Sequence, residues 1–162
     1  MGDGFDHDLQ ERIAQRAHDD GVTIAVAESL TGGLLVDALA TSEGSGAWLR
    51  GGIVAYASDV KRSLLGVEGP IISAGCASTM ASAARRLLGA DVGIAVTGVG
   101  GPDRQEDQPV GTVFVACTIG AQELVEEHAL EGEASEIVEA TVERSLDLLL
   151  RGLERRQAVQ HG

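Results

Sequence analysis

Apolar residues recur along this chain in two spacings, one typical of helices and one typical of strands. Leu9, Ile13 and Ala17 lie four residues apart within residues 6–20, which predicts an amphipathic helix. A largely apolar, β-branched run over residues 22–27 predicts a buried strand, and a helical pattern follows it to about residue 40. Further apolar runs over 51–57, 92–97 and 111–119 predict three more strands.

Helical patterns fill most of the remaining chain. A short helix is predicted over 58–65, a longer one from residue 73 and a last one over about 133–153. The helix from residue 73 is expected to bury Cys76, Met80, Ala84 and Leu87, and the last helix Val138, Val142, Leu146, Leu149 and Leu153.

One pair of strands is predicted to be antiparallel. Residues 122–131 follow a turn at Gly120 and Ala121, so they are expected to form a hairpin with 111–119. Alternating helices and strands with one hairpin predict a three-layer α/β/α sandwich around a mixed, mostly parallel sheet. We expect a single domain over residues 6–153, with polar tails at 1–5 and 154–162.

Composition narrows the functional classes. The 162 residues carry a formal net charge of −13, which argues against nucleic-acid binding because Lys and Arg hold phosphates. No apolar run approaches the roughly 18–20 residues of a membrane span, and the acidic N-terminus does not resemble a secretory signal. Cys76 and Cys117 fit a reducing cytoplasm, and the four histidines lack the spacing of metal ligands.

Three predicted strands end in loops rich in glycine and hydroxyl groups, at residues 28–33, 56–61 and 97–102. Because the carboxyl ends of parallel strands lie at one edge of a sheet, we expect these loops to share a ligand cleft. Helix N-termini at that edge favour anions. The alternative for the first loop is an ordinary capped turn, and for the glycines at 98, 100 and 101 it is a tight turn.

Lys61 is the single lysine of the chain, and it falls in the first turn of the helix predicted from Ser58 and Asp59. A cation there opposes the helix dipole, and with partial burial in the cleft this is expected to lower the pKa of Lys61. A neutral lysine can activate a serine hydroxyl by accepting its proton. The alternative is a surface lysine paired with Asp59 or Glu68.

Ser29 is the candidate nucleophile, and Tyr56 is a candidate for relaying a proton or orienting a substrate amide. Tyr56 is equally compatible with a core aromatic that has a solvated tip. Thr31 and the amides of Gly32 and Gly33 are candidates for holding an anion or an oxyanion. Ordinary dinucleotide or triphosphate binding is not expected, because the chain has no Gly-x-Gly-x-x-Gly after the first strand and no Walker sequence.

Several separate motifs, in the same order, resemble those of the CinA C-terminal domain family. They are AESLTGG at 27–33, GSGAWLRGGIVAY at 44–56, Lys61, LLGV at 64–67, VTGVGGPD at 96–103 and PVGTVFVA at 109–116. The resemblance covers about residues 6–150 and implies an α/β/α domain with nicotinamide-nucleotide amidase activity, without a metal or cofactor. It also implies a stand-alone form of the domain, in which Ser29, Tyr56 and Lys61 match the family's proposed catalytic residues.

This chain departs from the family pattern at three positions. It has Gly46 where the family commonly has a second serine, and Ala134 and Val138 where the family has arginines. If those arginines hold the nucleotide phosphate, that contact is lost here, and Arg50 and Arg104 are the candidates to replace it. The predicted substrate-binding residues are Glu28, Thr31, Gly32, Gly33, Ser45, Thr97, Gly98 and Gly101.

We therefore predict an amidohydrolase that converts nicotinamide mononucleotide to nicotinate mononucleotide and ammonia, with Ser29 as nucleophile assisted by Lys61 and Tyr56. One alternative is a non-catalytic nucleotide-binding or regulatory module that keeps the pocket without its phosphate contacts. Another is an amidase for an uncharged or differently charged amide. We expect a cytoplasmic homo-oligomer that binds a small nucleotide, with no nucleic-acid or membrane partner.

Overall fold

The computed structural model describes residues 4–160, and this part of the chain forms six helices and a five-stranded sheet. The helices are α1 (His7–Asp20), α2 (Leu34–Ala40), α3 (Ser45–Trp48), α4 (Ser58–Leu65), α5 (Ala74–Leu87) and α6 (Ala134–Gln160). The strands are β1 (Ile24–Glu28), β2 (Leu49–Val54), β3 (Val92–Gly98), β4 (Thr112–Ile119) and β5 (Gln122–Ala129).

The sheet has the strand order β2-β1-β3-β4-β5, with β1 parallel to both of its neighbours. Ile24 lies opposite Leu49 on one side and opposite Val92 on the other. β4 runs antiparallel to β3, and β5 runs antiparallel to β4 through the predicted hairpin. Four of the five strands therefore point the same way, which confirms the mixed, mostly parallel sheet. The carboxyl ends of β2, β1 and β3 consequently lie side by side.

Helices cover both faces of the sheet, which confirms the three-layer sandwich. One face presents mainly Val and Ile to a core shared with α1, α2 and α6, and the other presents mainly Ala to α4 and α5. In β1, Ile24 and Val26 belong to the first core while Ala25 and Ala27 belong to the second. Gly93 continues the small-residue face, and a Cβ atom there would lie 2.2 Å from the carbonyl oxygen of Ala81. The small residues therefore let α5 lie directly on the sheet.

The predicted buried side of α5 is confirmed at three of its four positions. Cys76, Met80 and Ala84 are buried, whereas Leu87 is 47% exposed, so its predicted burial is wrong. Leu87 is the last residue of α5, and Leu88 packs against the second core in its place.

The last helix is longer than predicted. α6 continues to Gln160, so the predicted end at about residue 153 is too early. Residues 154–160 contain neither glycine nor proline to stop the helix, and Glu154 forms an ion pair of 3.0 Å with Arg12 of α1. Four of the five predicted core positions of α6 are buried, and Val138 is half-buried.

Residues 1–3 and 161–162, which belong to the predicted tails, lie outside the described residues. Between residues 4 and 160, no helix is both long enough and apolar enough to cross a lipid bilayer.

Candidate active site

A cavity of about 180 Å³ opens at the carboxyl edge of the three adjacent parallel strands. Residues after β1, β2 and β3 line it, as predicted from the convergence of the strand ends. The first turns of α6 close one side through Ala134 and Val138, two positions that the family resemblance had already associated with the ligand. The lining residues are Ser29, Leu30, Tyr56, Lys61, Gly98, Val99, Gly100, Gly101, Asp103, Gln105, Ala134 and Val138.

Lys61 is buried beside this cavity, with only 2% of its surface exposed. Its Nζ donates a hydrogen bond of 3.3 Å to the backbone carbonyl oxygen of Tyr56. Burial lowers the pKa of Lys61 from 10.5, against smaller opposing effects of Cys76 and Glu106. The alternative of a surface lysine paired with Asp59 or Glu68 is wrong, because Lys61 is buried and its hydrogen bond goes to Tyr56. Lys61 is therefore placed to exchange a proton with a group in the cavity.

Ser29 follows β1 directly and is 4% exposed. It lines the same cavity as Lys61. Within residues 4–160, its hydroxyl makes no hydrogen bond to a protein group, and this leaves the oxygen available to a ligand.

Tyr56 lies at the mouth of the cavity with 71% of its surface exposed, so it is not a core aromatic. It is the backbone carbonyl of Tyr56, not its phenol, that contacts Lys61. The chain turns from β2 into α4 at this point, and the turn brings Tyr56 and Lys61 together. The proton-relay role of the phenol stays a prediction.

Glu28 is fully buried and its carboxyl group occupies the N-terminus of α2. One oxygen accepts hydrogen bonds from the Thr31 hydroxyl at 2.6 Å and from the amides of Gly33 and Leu35 at 3.2 and 2.8 Å. The other accepts from the Val36 amide at 3.0 Å. These donors are therefore already used within the protein, and the carboxyl group supplies the negative charge that a helix N-terminus favours.

Several predicted ligand-binding residues lie away from the lining of the cavity. Thr97 donates its hydroxyl to the carbonyl oxygen of Ile71 at 2.9 Å, and Ser45 donates to the carbonyl oxygen of Ala40 at 2.7 Å. The residues predicted as ligand-binding that do not line the cavity are Glu28, Thr31, Gly32, Gly33, Ser45 and Thr97. Their contact with substrate stays a prediction, and their observed contacts are structural.

Gly98 and Gly101 line the cavity together with Gly100. A Cβ atom on Gly98 would lie 2.6 Å from the carbonyl oxygen of Thr112, so close packing against β4 requires glycine there. In the part of the chain that is described, the amides of Gly100 and Gly101 donate to no protein acceptor. They are therefore candidate donors to an oxyanion formed near Ser29.

Glu106 is a neighbour of Lys61 that the sequence did not single out. Its carboxyl group accepts hydrogen bonds from the amides of Ile71 and Ile72 at 3.1 and 2.6 Å. The Thr97 hydroxyl holds the carbonyl of the same Ile71. These contacts tie the loop that carries Asp103 and Gln105 to the segment before α5. The only sequence signal was the polarity of residues 103–109.

The charges around the cavity are few. Lys61 is the one cationic side chain among its described lining residues, and Asp103 is the one carboxylate. Arg50, proposed above as a replacement for a lost phosphate contact, donates to the carbonyl of Leu88, which follows α5, at 2.9 Å. Arg104 hydrogen-bonds to the carbonyl of Asp107 in its own loop. Among residues 4–160, no group of three or more His, Cys, Asp or Glu side chains is arranged to hold a metal ion.

The chain matches a known protein family over most of its length. The family model of the CinA C-terminal domain matches residues 6–153. A CinA-like protein of Geobacter sulfurreducens is 38% identical over 155 residues, and a CinA-like protein of Frankia casuarinae is 39% identical over 156 residues. These matches cover 91% and 93% of this chain but 38% and 36% of the relatives, so the chain spans little more than a third of their length.

A solved structure has nearly the same fold. The crystal structure of the competence-damaged protein (CinA) superfamily protein from Enterobacter cloacae superposes with a TM-score of 0.88 at 31% identity. The match covers 94% of this chain and 95% of that one.

Proposed function

This chain belongs to the CinA C-terminal domain family, and we propose that it is an amidohydrolase that converts the carboxamide of nicotinamide mononucleotide to a carboxylate and ammonia. The observation that carries the proposal is that Ser29 and the buried Lys61 line the same cavity. Ser29 follows β1, and Lys61 lies in α4, the helix that follows the neighbouring strand β2. Nucleophilic amide hydrolysis needs a nucleophile and a base, and the two groups here are a hydroxyl that is not hydrogen-bonded to any described protein group and an amine with a lowered pKa.

In the first half of the reaction, the Ser29 oxygen attacks the carboxamide carbon and its proton passes to the neutral Nζ of Lys61. The carbonyl oxygen becomes an oxyanion, for which the amides of Gly100 and Gly101 are the candidate donors. The intermediate collapses as the C–N bond breaks. Protonated Lys61 gives its proton to the leaving nitrogen, which departs as ammonia, and an ester on Ser29 remains.

In the second half, a water molecule attacks the ester carbon and gives a proton to Lys61. The bond between the acyl carbon and the Ser29 oxygen breaks, and Lys61 returns the proton to that oxygen. The net change is one amide and one water converted to one carboxylic acid and one ammonia. The Tyr56 carbonyl holds Lys61 in place throughout by the hydrogen bond already present.

Ammonia release from nicotinamide mononucleotide by the purified chain tests the proposal. We expect Ser29→Ala and Lys61→Met each to lower kcat/KM by about a thousandfold or more, as for other nucleophile and base deletions. Lys61→Arg should be as poor, because guanidinium does not give up its proton near neutral pH. Ser63→Ala, at an exposed position of α4, is the matched control and should keep wild-type activity. Turnover that survives Ser29→Ala would refute the nucleophile.

One observation favours a second candidate, a binding module without turnover. Lys61 donates its hydrogen bond to the backbone carbonyl of Tyr56, and no hydrogen bond joins Lys61 to Ser29 within the described residues. Binding of nicotinamide mononucleotide without ammonia release, by protein with a native circular dichroism spectrum, would select this candidate.

A further inference from the structure

Two separate sets of backbone amides border the cavity without an acceptor among the described residues. One set, the amides of Gly100 and Gly101, follows β3. The other lies at the start of α6, where the amides of Ala134, Ser135 and Glu136 donate to no described protein group. Ala134 lines the cavity, so the first turn of α6 borders the same space as the glycine loop.

The hydrogen bonds at the start of α6 leave these three amides free. The Glu136 carboxyl group accepts the amide of Glu133 at 2.7 Å, and the Glu133 carbonyl accepts the amide of Ile137 at 3.0 Å. The start of α2 differs, because the Glu28 carboxyl group accepts its amides. The first turn of α6, a helix of 27 residues, therefore keeps both its free donors and the partial positive charge that favours an anion.

The side chains over this turn are short. Ala134 and Val138 lie one turn apart on α6, and both line the cavity. A long side chain at either position would cover the turn that precedes it, and the family pattern has arginines at both. This chain therefore lacks two guanidinium groups at the cavity, but it leaves the amides at the start of α6 accessible from the cavity.

An independent feature of the cavity indicates a ligand. Ser29 is 4% exposed and lines the cavity, yet its hydroxyl has no hydrogen-bond partner among the described residues. Such a buried hydroxyl is normally hydrogen-bonded, so a ligand is expected to complete it. A Cβ atom on Gly100 would lie 3.6 Å from the Cβ of Leu30, the residue after Ser29. The glycine loop therefore lies beside the nucleophile, and the amides of α6 are left for a second anionic group.

We infer that the first turn of α6 holds the phosphate of the nucleotide through the main-chain amides of Ala134, Ser135 and Glu136, in place of the arginine side chains of the family. This inference rests on the proposed amidohydrolase function and assigns the phosphate site of the same cavity. The proposed substrate has two groups that need amide donors, namely the carboxamide oxygen that becomes an oxyanion and the phosphate. The cavity has one set of free amides for each.

Three carboxylates oppose an anion at this site. Asp103 lines the cavity, and Glu133 and Glu136 belong to the start of α6 itself. The amides supply hydrogen bonds without a full positive charge, so we expect binding of the phosphate to strengthen when one of these carboxylates is neutralised.

Proline at the first position of α6 removes one of the proposed donors. Ala134→Pro deletes the amide N–H, and proline is favoured at the first helical position, so the helix is expected to form. Calorimetry in the Ser29→Ala background measures binding without turnover. We expect the Kd of nicotinamide mononucleotide to rise about tenfold or more, because a hydrogen bond to a charged group is lost. The Kd of nicotinamide riboside, which has no phosphate, should change less than about twofold.

Two variants control for effects of proline other than the lost donor. Ala74→Pro makes the same substitution at the first position of α5, which does not line the cavity, and should leave both affinities unchanged. Ala134→Val keeps the amide and adds a side chain of similar size, so it measures the effect of bulk and should weaken the mononucleotide less. Equal losses in Ala134→Pro and Ala134→Val, or equal losses for the two ligands, overturn the inference.

Glu136→Gln is a second variant that does not alter the backbone. It removes a negative charge from the first turn of α6 and keeps an oxygen that can accept the amide of Glu133. We expect it to lower the Kd of the mononucleotide about threefold at low salt, without an equal effect on the riboside. If circular dichroism shows that Ala134→Pro does not fold, this variant decides, and unchanged binding of the mononucleotide then overturns the inference. If Arg104→Ala weakens the mononucleotide and a folded Ala134→Pro does not, Arg104 holds the phosphate and the inference is wrong.

Failure of the proposed function is distinguishable from failure of this inference. A selective loss of mononucleotide binding in Ala134→Pro supports the phosphate site even if the wild type releases no ammonia, a result that would refute the amidohydrolase alone. Ammonia release with a KM that Ala134→Pro leaves unchanged supports the amidohydrolase and overturns the phosphate site. Binding of neither ligand to the Ser29→Ala protein also overturns it.

Discussion

The Nζ of Lys61 lies 3.3 Å from the backbone carbonyl oxygen of Tyr56, five residues earlier in the chain. This hydrogen bond joins the end of β2 to the first turn of α4 and fixes the lysine against the cavity. It satisfies one of the three donors of an ammonium group, or one donor of a neutral amine. A buried lysine with so few partners is costly to keep charged, and this cost gives the proposed base its lowered pKa.

Lys61→Met should stabilise the fold while it abolishes activity. Replacing a buried amine that has one hydrogen bond within the described residues with an apolar side chain of similar length is expected to raise the free energy of unfolding by about 1–2 kcal/mol at pH 7. Because the pKa of Lys61 is lower in the folded state, the unfolded chain binds more protons and wild-type stability rises as pH approaches 10.5. Urea denaturation at several pH values measures this.

The difference between Lys61→Met and the wild type should therefore shrink as pH rises from 7 toward 10.5. A difference that stays constant over that range would show that burial does not perturb the lysine. Ser63→Ala, measured in parallel, controls for general effects of pH on α4.

Glu106→Gln should move the pH dependence of activity to lower pH. The negative charge of Glu106 opposes the effect of burial and raises the pKa of Lys61. Without that charge, the lysine loses its proton at lower pH, and the rising limb of the kcat/KM profile shifts accordingly. The profile of each variant against pH is the measurement.

Asp107→Asn is the control for this shift. Asp107 is the next residue of the same loop, and it accepts a hydrogen bond from Arg104 through its backbone carbonyl. An equal shift in both variants would mean that the loop's net charge, and not the position of Glu106, sets the profile. No shift in Glu106→Gln would contradict the coupling to Lys61.

Glu28→Ala should destabilise the protein strongly. It leaves the amides of Gly33, Leu35 and Val36 and the Thr31 hydroxyl without their acceptor in a buried position. We expect a loss of about 3 kcal/mol in the free energy of unfolding. Thr31→Val, which removes one of these four donors, should cost about 1 kcal/mol. Equal stability of Glu28→Ala and the wild type would show that the cap is dispensable.

Neither cysteine should react with thiol reagents in the native protein. Burial raises the pKa of Cys117 to about 12 and also raises that of Cys76, and both are at most 2% exposed. Labelling with a chromogenic disulfide at pH 8 should therefore be slow until denaturant is added, when two thiols react. Rapid labelling of one thiol in the native protein would contradict this prediction. If that labelling disappeared in Cys76→Ala, it would show that the first turn of α5, which contains Cys76, opens to solvent.

The pattern of apolar positions alone predicts the five strands in order, five of the six helices of the described residues, the hairpin and the cleft at three strand ends, but not the four-residue helix α3. These follow from local periodicity and from the rule that parallel strands end at one edge, so neighbouring residues sufficed to predict them. The burial of most core positions was predicted in the same way. The predicted burial of Leu87 was wrong, because Leu87 is the last residue of α5 and its exposure depends on the chain that follows the helix.

Which polar groups are free to act depends on contacts between distant segments of the folded chain. Glu28 and Thr31 look like ligand-binding residues in sequence, yet folding directs their polar atoms to each other and to the start of α2. Glu106 reaches Ile71 and Ile72 across a separation of 34 or 35 residues, which no local pattern reports. Hydrogen bonds are short and directional, so their partners depend on the packed arrangement of distant segments, whereas helices and strands depend mainly on spacing along the chain.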